Sequence, residues 1–237
     1  MLSDAPVAIS LLFVATVVGM LLLVLWGAAR AARRVGPGAA RGVRLAGLAL
    51  AGWLALTATL ADRGFFEDFY SLPPHMLLAI GPPLLVLLAL TFTGRLDALL
   101  AALPRSWPVG AQTFRIAVEL VLWRLAAAGV APEIMTFTGR NVDILVGLSA
   151  PVVAYFCFVT RVWPERVAVW WNVAGIVILL NVVVHAQLSA PTRFRVFETE
   201  PPTTFIGDLP YIWLPAFLVP LAWLLHALSL RQLRAPR

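Results

Sequence analysis

Two charged residues four positions apart, Arg115 and Glu119, lie inside an otherwise apolar segment of the sequence. On a helix they would share one face, and a charge near the centre of a bilayer costs roughly 2.5 to 3.5 kcal/mol on insertion scales. We therefore expect both side chains to point into a helical bundle. There they would either bind a substrate or a proton within the membrane, or form a mutual ion pair with a structural role only.

The residues that follow this segment, 132–143, form the richest polar stretch beside any apolar segment. Asn141 and Asp143 suit the start of the next helix, the first as a cap and the second through its negative charge. Arg140 beside the same helix start is also placed to bind an anion. Helix capping and a ligand site are both compatible with this stretch.

Histidines supply the other candidates for chemistry. His75 and His185 fall at a similar predicted depth to Asp143 and Asp208, and imidazole and carboxylate groups suit zinc or a related ion. Their spacings match no established metal motif, so these four are weak metal candidates, with helix-end hydrogen bonds as the alternative. His226 lies at a different predicted depth, so a bis-histidine haem is not expected.

The remaining composition excludes several kinds of cofactor. All 18 basic residues are arginine, and without a lysine the chain cannot form a retinal Schiff base. Cys157 is the only cysteine, which excludes an intrachain disulfide, a thiolate zinc site and an iron–sulfur cluster. Asn172 and Asn181 lie in an apolar segment, where buried amides usually link helices or line a polar cavity.

The elements that must position these residues are long apolar segments. Of the 237 residues, 61% are hydrophobic and only 13% are charged, and a run of about 20 apolar residues spans a bilayer core. The sequence predicts an all-α integral membrane bundle of seven transmembrane helices in a single domain, 1–237. The predicted spans are 7–28, 45–61, 75–93, 113–130, 142–160, 167–187 and 210–230.

Arginine is distributed unevenly between alternate connections, and cytoplasmic loops carry an excess of basic residues. The seven-span arrangement places the N-terminus outside and the C-terminus in the cytoplasm. It leaves Arg30, Arg33, Arg34, Arg41, Arg44, Arg95, Arg105, Arg161, Arg166, Arg231, Arg234 and Arg237 inside, and Arg63, Arg140, Arg193 and Arg195 outside. Most acidic residues, including Asp4, Glu198, Glu200 and Asp208, then lie outside.

The charged fourth segment, 113–130, is the doubtful span, because an amphipathic helix on the membrane surface is the alternative. Removing it would place the C-terminal arginines outside, which the charge pattern opposes. We therefore attribute the formal charge of +6 to the arginines that set the membrane topology, and we do not expect the protein to bind nucleic acid. The lack of lysine and the abundance of alanine favour a bacterial source, and therefore the bacterial plasma (inner) membrane.

Three stretches, residues 114–120 (FRIAVEL), 135–144 (MTFTGRNVDI) and 213–217 (WLPAF), are similar to a widespread bacterial family of uncharacterised membrane proteins. The resemblance covers most of the second half of the chain and less of the first. It implies a helical membrane fold. It implies no activity and no catalytic residue.

The leading functional hypothesis is a small polar pocket that opens outward between the fourth, fifth and sixth spans. The pocket would bind or move a small molecule, or the protein would support another membrane protein. Its candidate residues are Arg115, Glu119, Arg140, Asn141, Asp143 and His185. The alternatives are an intramembrane metal-dependent enzyme with a His/Asp site at the outer face, and a purely structural subunit.

Overall fold

The computed structural model describes residues 6–234 of the chain, so Asp4 and Arg237 lie outside the described residues. Helices account for 76% of these described residues, which contain no β-strand. The α-helices are α1 (Val7–Val35), α2 (Pro37–Asp62), α3 (Met76–Phe92), α4 (Asp97–Ala102), α5 (Ser106–Ala111), α6 (Arg115–Ala127), α7 (Ile144–Ala154), α8 (Glu165–Ser189) and α9 (Val219–Arg234). Each of the seven predicted spans overlaps one of these helices, whereas α4 and α5 were not predicted.

Four helices in the described range are long and apolar enough to cross a membrane: α1, α2, α8 and the segment Leu214–Arg234. A fifth crossing is possible if α3 and the helical stretch Gly94–Ala102, bent by 74° relative to each other, form one span. The stretch Ile144–Val159 is apolar but shorter. The structure therefore shows a helical protein with four to five candidate spans, a coarser result than the seven spans predicted.

α1 and α2 form an antiparallel pair joined by Gly36, whose φ of 138° lies in a region that favours glycine. Pro37 then occupies the first position of α2, where a missing N–H costs nothing. Both helices extend several residues beyond their predicted apolar segments, because the arginines after the apolar run of α1 and those before the apolar run of α2 are also helical. One face of α1, with Phe13 and Val17, is buried, while Leu11 on another face is 63% exposed.

Arginine side chains tie the helices together at one end of the bundle, which we call the arginine end. Nη1 of Arg231 donates to the carbonyl oxygens of Leu90, Thr91 and Thr93 at the end of α3, and Nε of Arg231 pairs with Asp97 at 2.8 Å. These carbonyls have no partner within their own helix. Arg231 therefore caps α3 and fixes the bend between α3 and α4.

The opposite end, which we call the loop end, carries the connections 63–75, 128–143 and 190–213. Phe66 and Phe205 in two of these connections are buried, and the two short 3-10 turns that contain them pack together. Tyr211 lies beside Phe13 of α1, and its hydroxyl forms a 3.0 Å hydrogen bond with Ser10. The core of the protein thus continues from the helices into the loop end.

Candidate functional site

Four of the six predicted ligand-binding residues come together between α6 and α7, and we call Arg115, Glu119, Asn141 and Asp143 the charged cluster. Arg115 and Glu119 lie one turn apart on α6, and Asp143 directly precedes α7. All four are buried, with exposures of 1%, 1%, 2% and 5% respectively. The expectation that Arg115 and Glu119 point into the bundle is therefore confirmed.

A glycine allows the two helices of the cluster to approach each other. A Cβ atom on Gly147 of α7 would lie 2.9 Å from both the backbone nitrogen and the Cγ1 atom of Ile116, and 3.2 Å from Cβ of Arg115. Any side chain at this position would force the first turns of α6 and α7 apart. Gly147 therefore sets the distance across which Arg115 meets the residues that precede α7.

Arg115 pairs with Asp143 and not with Glu119. Its Nη1 atom lies 2.9 Å from Oδ1 of Asp143, but neither atom makes a hydrogen bond of good geometry. The contact is thus a charge pair whose N–H groups are not aimed at the carboxylate. The mutual Arg115–Glu119 ion pair considered from the sequence is not what the structure shows.

Asn141 holds the carboxylate of Glu119 instead. Its Nδ2 atom donates to Oε1 of Glu119 at 2.7 Å and to the carbonyl oxygen of Met135 at 3.0 Å. Its Oδ1 atom accepts a 2.9 Å hydrogen bond from the backbone N–H of Asp143. One amide side chain therefore links α6, the preceding loop and the start of α7.

Several polar atoms of the cluster have no hydrogen-bond partner within residues 6–234. They include Nε and Nη2 of Arg115 and Oε2 of Glu119. Arg115, Glu119 and Asp143 line a cavity of about 30 Å³, and α8 and α9 close its other side with Leu179, Val182 and Ala222. This volume is close to that of one water molecule. The cluster thus has unused donors and acceptors on a water-sized space, not an open pocket.

A second buried polar group, between α8 and α9, was not recognised as a site from the sequence. Nδ2 of Asn172 donates to Ala168 and to Ser229, so its Oδ1 atom accepts from Nδ1 of His226 at 2.9 Å. Nε2 of His226 then carries a lone pair, and it has no partner in the described part of the chain. The expectation that Asn172 links helices is confirmed, but its pairing with His226 was not predicted.

The other two predicted site residues, Arg140 and His185, lie in a separate surface aromatic cluster with Asn181 and Phe197. The Arg140 guanidinium lies 5.3 Å from the centre of the Phe197 ring, and His185 stacks on that ring at 5.3 Å. Asn181 donates to the Arg140 carbonyl and accepts from Nδ1 of His185 through its own carbonyl. Arg140 is exposed, so the predicted set divides into a buried group and a surface group.

The four weak metal candidates are not brought together. His75 stacks on Phe65 and bonds its carbonyl oxygen, His185 stacks on Phe197, and Asp143 faces Arg115. Asp208 makes contacts at the loop end. Within residues 6–234 no three side chains of His, Cys, Asp or Glu form a group able to hold a metal ion.

A cavity of about 890 Å³ lies at the arginine end and is lined by Asp97, Arg105, Arg161, Glu165 and Arg231 among others. Two of its arginines hold structural elements together, since Arg105 pairs with Glu165 at 2.7 Å and Arg231 caps α3. The charges of this cavity are thus largely occupied by contacts within the fold, unlike those of the charged cluster.

Comparison with known proteins assigns a family without an activity. A family model described as a domain of unknown function, DUF8737, matches residues 73–234, a range that contains the whole charged cluster. No curated protein and no solved structure matches the chain. The match agrees with the resemblance to an uncharacterised family, and the chain belongs to the DUF8737 family.

Proposed function

We propose that this member of the DUF8737 family is a bacterial plasma-membrane protein that crosses the bilayer seven times and binds or moves a small polar species at its charged cluster. The observation that carries the proposal is the Arg115 guanidinium. It is 1% exposed, and its Nε and Nη2 atoms lack partners in the described residues. It also lines the small cavity beside two carboxylates.

The energetic cost of the cluster supports a role other than stability. Replacing a buried ion pair with apolar side chains is often neutral or stabilising, because desolvation of the charges offsets their attraction. A protein that needed only a tight contact between α6 and α7 would gain as much from apolar side chains. Buried ionisable groups in a membrane bundle are, for this reason, default candidates for a functional site.

The chemistry of the unused atoms defines the class of ligand. Nε and Nη2 of Arg115 are donors only, while Oε2 of Glu119 is an acceptor when the carboxyl is ionised and can also donate when it is protonated. A matching species offers an acceptor to the arginine and a donor to the glutamate within one water-sized volume. Water, a hydrated proton and very small polar solutes meet these conditions, while entry of anything larger requires the helices around the cavity to separate.

Two further helical segments, which are not among the four to five candidate spans, support seven crossings. The backbone is helical almost without interruption from Ser106 to Ala127 through α5, a 3-10 turn and α6. That stretch is long enough for a bilayer core, which needs about 20 residues. The stretch Ile144–Val159 is only slightly shorter than the usual minimum of about 17 residues.

The test is mass spectrometry of small molecules that co-purify with the protein from gently solubilised membranes. Wild type is compared with Glu119→Gln, which keeps the shape of the side chain, and with Arg105→Gln at the partly exposed Arg105–Glu165 pair. The proposal expects a species that is lost with Glu119→Gln and retained with Arg105→Gln. Because mass spectrometry does not detect a bound proton, proton uptake by proteoliposomes is measured for the same three proteins. Identical small-molecule profiles and unchanged proton uptake in three folded proteins would contradict the proposal and leave a structural role.

A further inference from the structure

A long apolar groove runs between α3 and α8, and α9 forms its floor. Both α3 and α8 pack against α9. The groove consists of an inner chamber of about 310 Å³ and an outer chamber of about 400 Å³ at the loop end. Ile80, Gln187 and Ile206 line both chambers. The two chambers are therefore adjacent parts of one groove.

The lining of the inner chamber identifies the chemistry of its occupant. Gln187 and the indole N–H of Trp223 are the only lining side-chain groups that can form a conventional hydrogen bond, and the walls otherwise consist of apolar residues such as Leu84, Val183 and Ala186. A peptide backbone in this groove would lose the hydrogen bonds that its N–H and C=O groups need. An alkyl chain has no such groups, so the groove suits an acyl chain.

The floor of the groove is shaped by prolines. Pro215 and Pro220 line the inner chamber, and residues Leu214–Leu218 form a π-helical turn ahead of α9. π-turns of this kind occur frequently at functional sites, and the prolines prevent regular i to i−4 hydrogen bonding. The irregular start of α9 thus helps to leave space between α3 and α8 that regular helices would fill.

The rim of the outer chamber is polar and positively charged. Ser71, Thr192 and Arg193 line this end. Arg193 is exposed, and no carboxylate of residues 6–234 pairs with it. Tyr70, which also lines the chamber, is 66% exposed, as is common for aromatic residues at the level of lipid headgroups. The rim therefore complements a negatively charged headgroup.

We propose that this groove is a binding site for an anionic phospholipid, with one acyl chain between α3 and α8 and the phosphate beside Arg193. The site is separate from the charged cluster, because none of the four residues of that cluster lines either chamber of the groove. Val182, Leu214 and Val219 form the wall that the inner chamber shares with the small cavity. The lipid site thus does not depend on the function proposed for Arg115. Lipids from the surrounding bilayer reach it laterally between the two helices.

The experiment uses the full chain in phosphatidylcholine nanodiscs that contain a trace of photoreactive lipid with a diazirine in its acyl chain. The lipid is either phosphatidylglycerol or phosphatidylcholine with the same chains. After illumination, mass spectrometry maps the labelled residues. We expect labelling to concentrate on α3 and α8 around Leu84 and Ala186, and to be several-fold stronger for phosphatidylglycerol. Labelling spread evenly over all exposed apolar faces would overturn the proposal.

Two pairs of variants test the site of the acyl chain and the site of the headgroup separately. Ala186→Trp fills the inner chamber and should remove the concentrated labelling, while Leu56→Trp on an exposed face of α2 should not. If Ala186→Trp fails to fold, Leu84→Trp on the opposite wall replaces it. Arg193→Ala should abolish the preference for phosphatidylglycerol, whereas Arg63→Ala, also exposed at the loop end, should keep it. Unchanged labelling with the filled chamber, or an unchanged lipid preference without Arg193, would refute the assignment.

Discussion

Arg115 of α6 and Asp143 ahead of α7 form an ion pair of 2.9 Å in which both side chains are at most 8% exposed. Removing one partner of a buried pair leaves an uncompensated charge, which typically costs about 3 to 5 kcal/mol. We therefore expect Arg115→Met to lower the free energy of unfolding by about this amount, as measured by denaturant titration in micelles.

The double variant Arg115→Met with Asp143→Leu tests whether the loss comes from the pair. It removes both charges, so we expect it to be less destabilised than the sum of the two single variants, with a coupling energy of about 0.5 to 3 kcal/mol. Arg105→Met at the partly exposed pair with Glu165 is the control, since such pairs contribute about 0 to 1 kcal/mol. Additive effects of the single variants would show that Arg115 and Asp143 do not interact.

Asn141 is predicted to be the residue that holds Glu119 in place. Asn141→Ala removes the 2.7 Å bond to Glu119 and leaves the backbone N–H of Asp143 without its acceptor. Each unsatisfied buried group costs about 1 to 3 kcal/mol. Thermal unfolding should therefore show a clear loss of stability, while Asn181→Ala at an exposed hydrogen bond should change it by no more than about 0.5 kcal/mol. Equal effects of the two variants would argue against the linking role of Asn141.

The helices were largely predictable from the sequence because their signal is local. The predicted span 75–93 corresponds to α3 (Met76–Phe92), and 167–187 corresponds to α8 (Glu165–Ser189). A continuous apolar run determines where a helix lies, since the backbone must pair its own polar groups in lipid. The short helices α4 and α5 were missed because they form against helices that are distant in the sequence, α4 against α1 and α5 against α7 and α9. Gln232 of α9 also donates to the carbonyl oxygens of Leu100 and Leu103 at the end of α4.

The membership of the charged cluster was predictable, but its pairing was not. Arg115, Glu119, Asn141 and Asp143 were recognised because charged and amide residues are rare within or beside apolar segments. Sequence spacing suggested a pair between Arg115 and Glu119. In the structure, Gly147 allows α7 to approach α6 closely, so Asp143 pairs with Arg115 instead. Such a contact depends on helix packing, which one sequence does not reveal. The link between Asn172 and His226 was missed for the same reason.

Gly147 is predicted to control the distance between α6 and α7. In Gly147→Ala the new methyl group meets the Ile116 backbone at 2.9 Å, and overpacking of this kind costs about 1 to 3 kcal/mol. Gly52 of α2 is the matched control, because a Cβ there meets nothing within 4 Å and alanine favours the helix by up to about 1 kcal/mol. Thermal unfolding of the two variants should thus shift in opposite directions. A stable Gly147→Ala protein would mean that the two helices are free to separate.

The seven-crossing topology is predicted to place residues 41 and 161 on one side of the membrane and residues 128 and 198 on the other. All four positions are exposed, and Cys157 is the only native cysteine, so Cys157→Ser provides a background for single cysteines. A membrane-impermeant maleimide applied to intact cells should label Ala128→Cys and Glu198→Cys. In inverted vesicles it should label Arg41→Cys and Arg161→Cys.

Labelling at positions 128 and 161 decides whether the segments 106–127 and Ile144–Val159 cross the bilayer. If the stretch 106–127 lay on the cytoplasmic surface, Ala128→Cys would react in inverted vesicles together with Arg41→Cys. If Ile144–Val159 did not cross, Ala128→Cys and Arg161→Cys would react from the same side. Either result would reduce the number of crossings and remove the charged cluster from the interior of the bilayer. The cost of burying Arg115 in lipid would then no longer support a function for it.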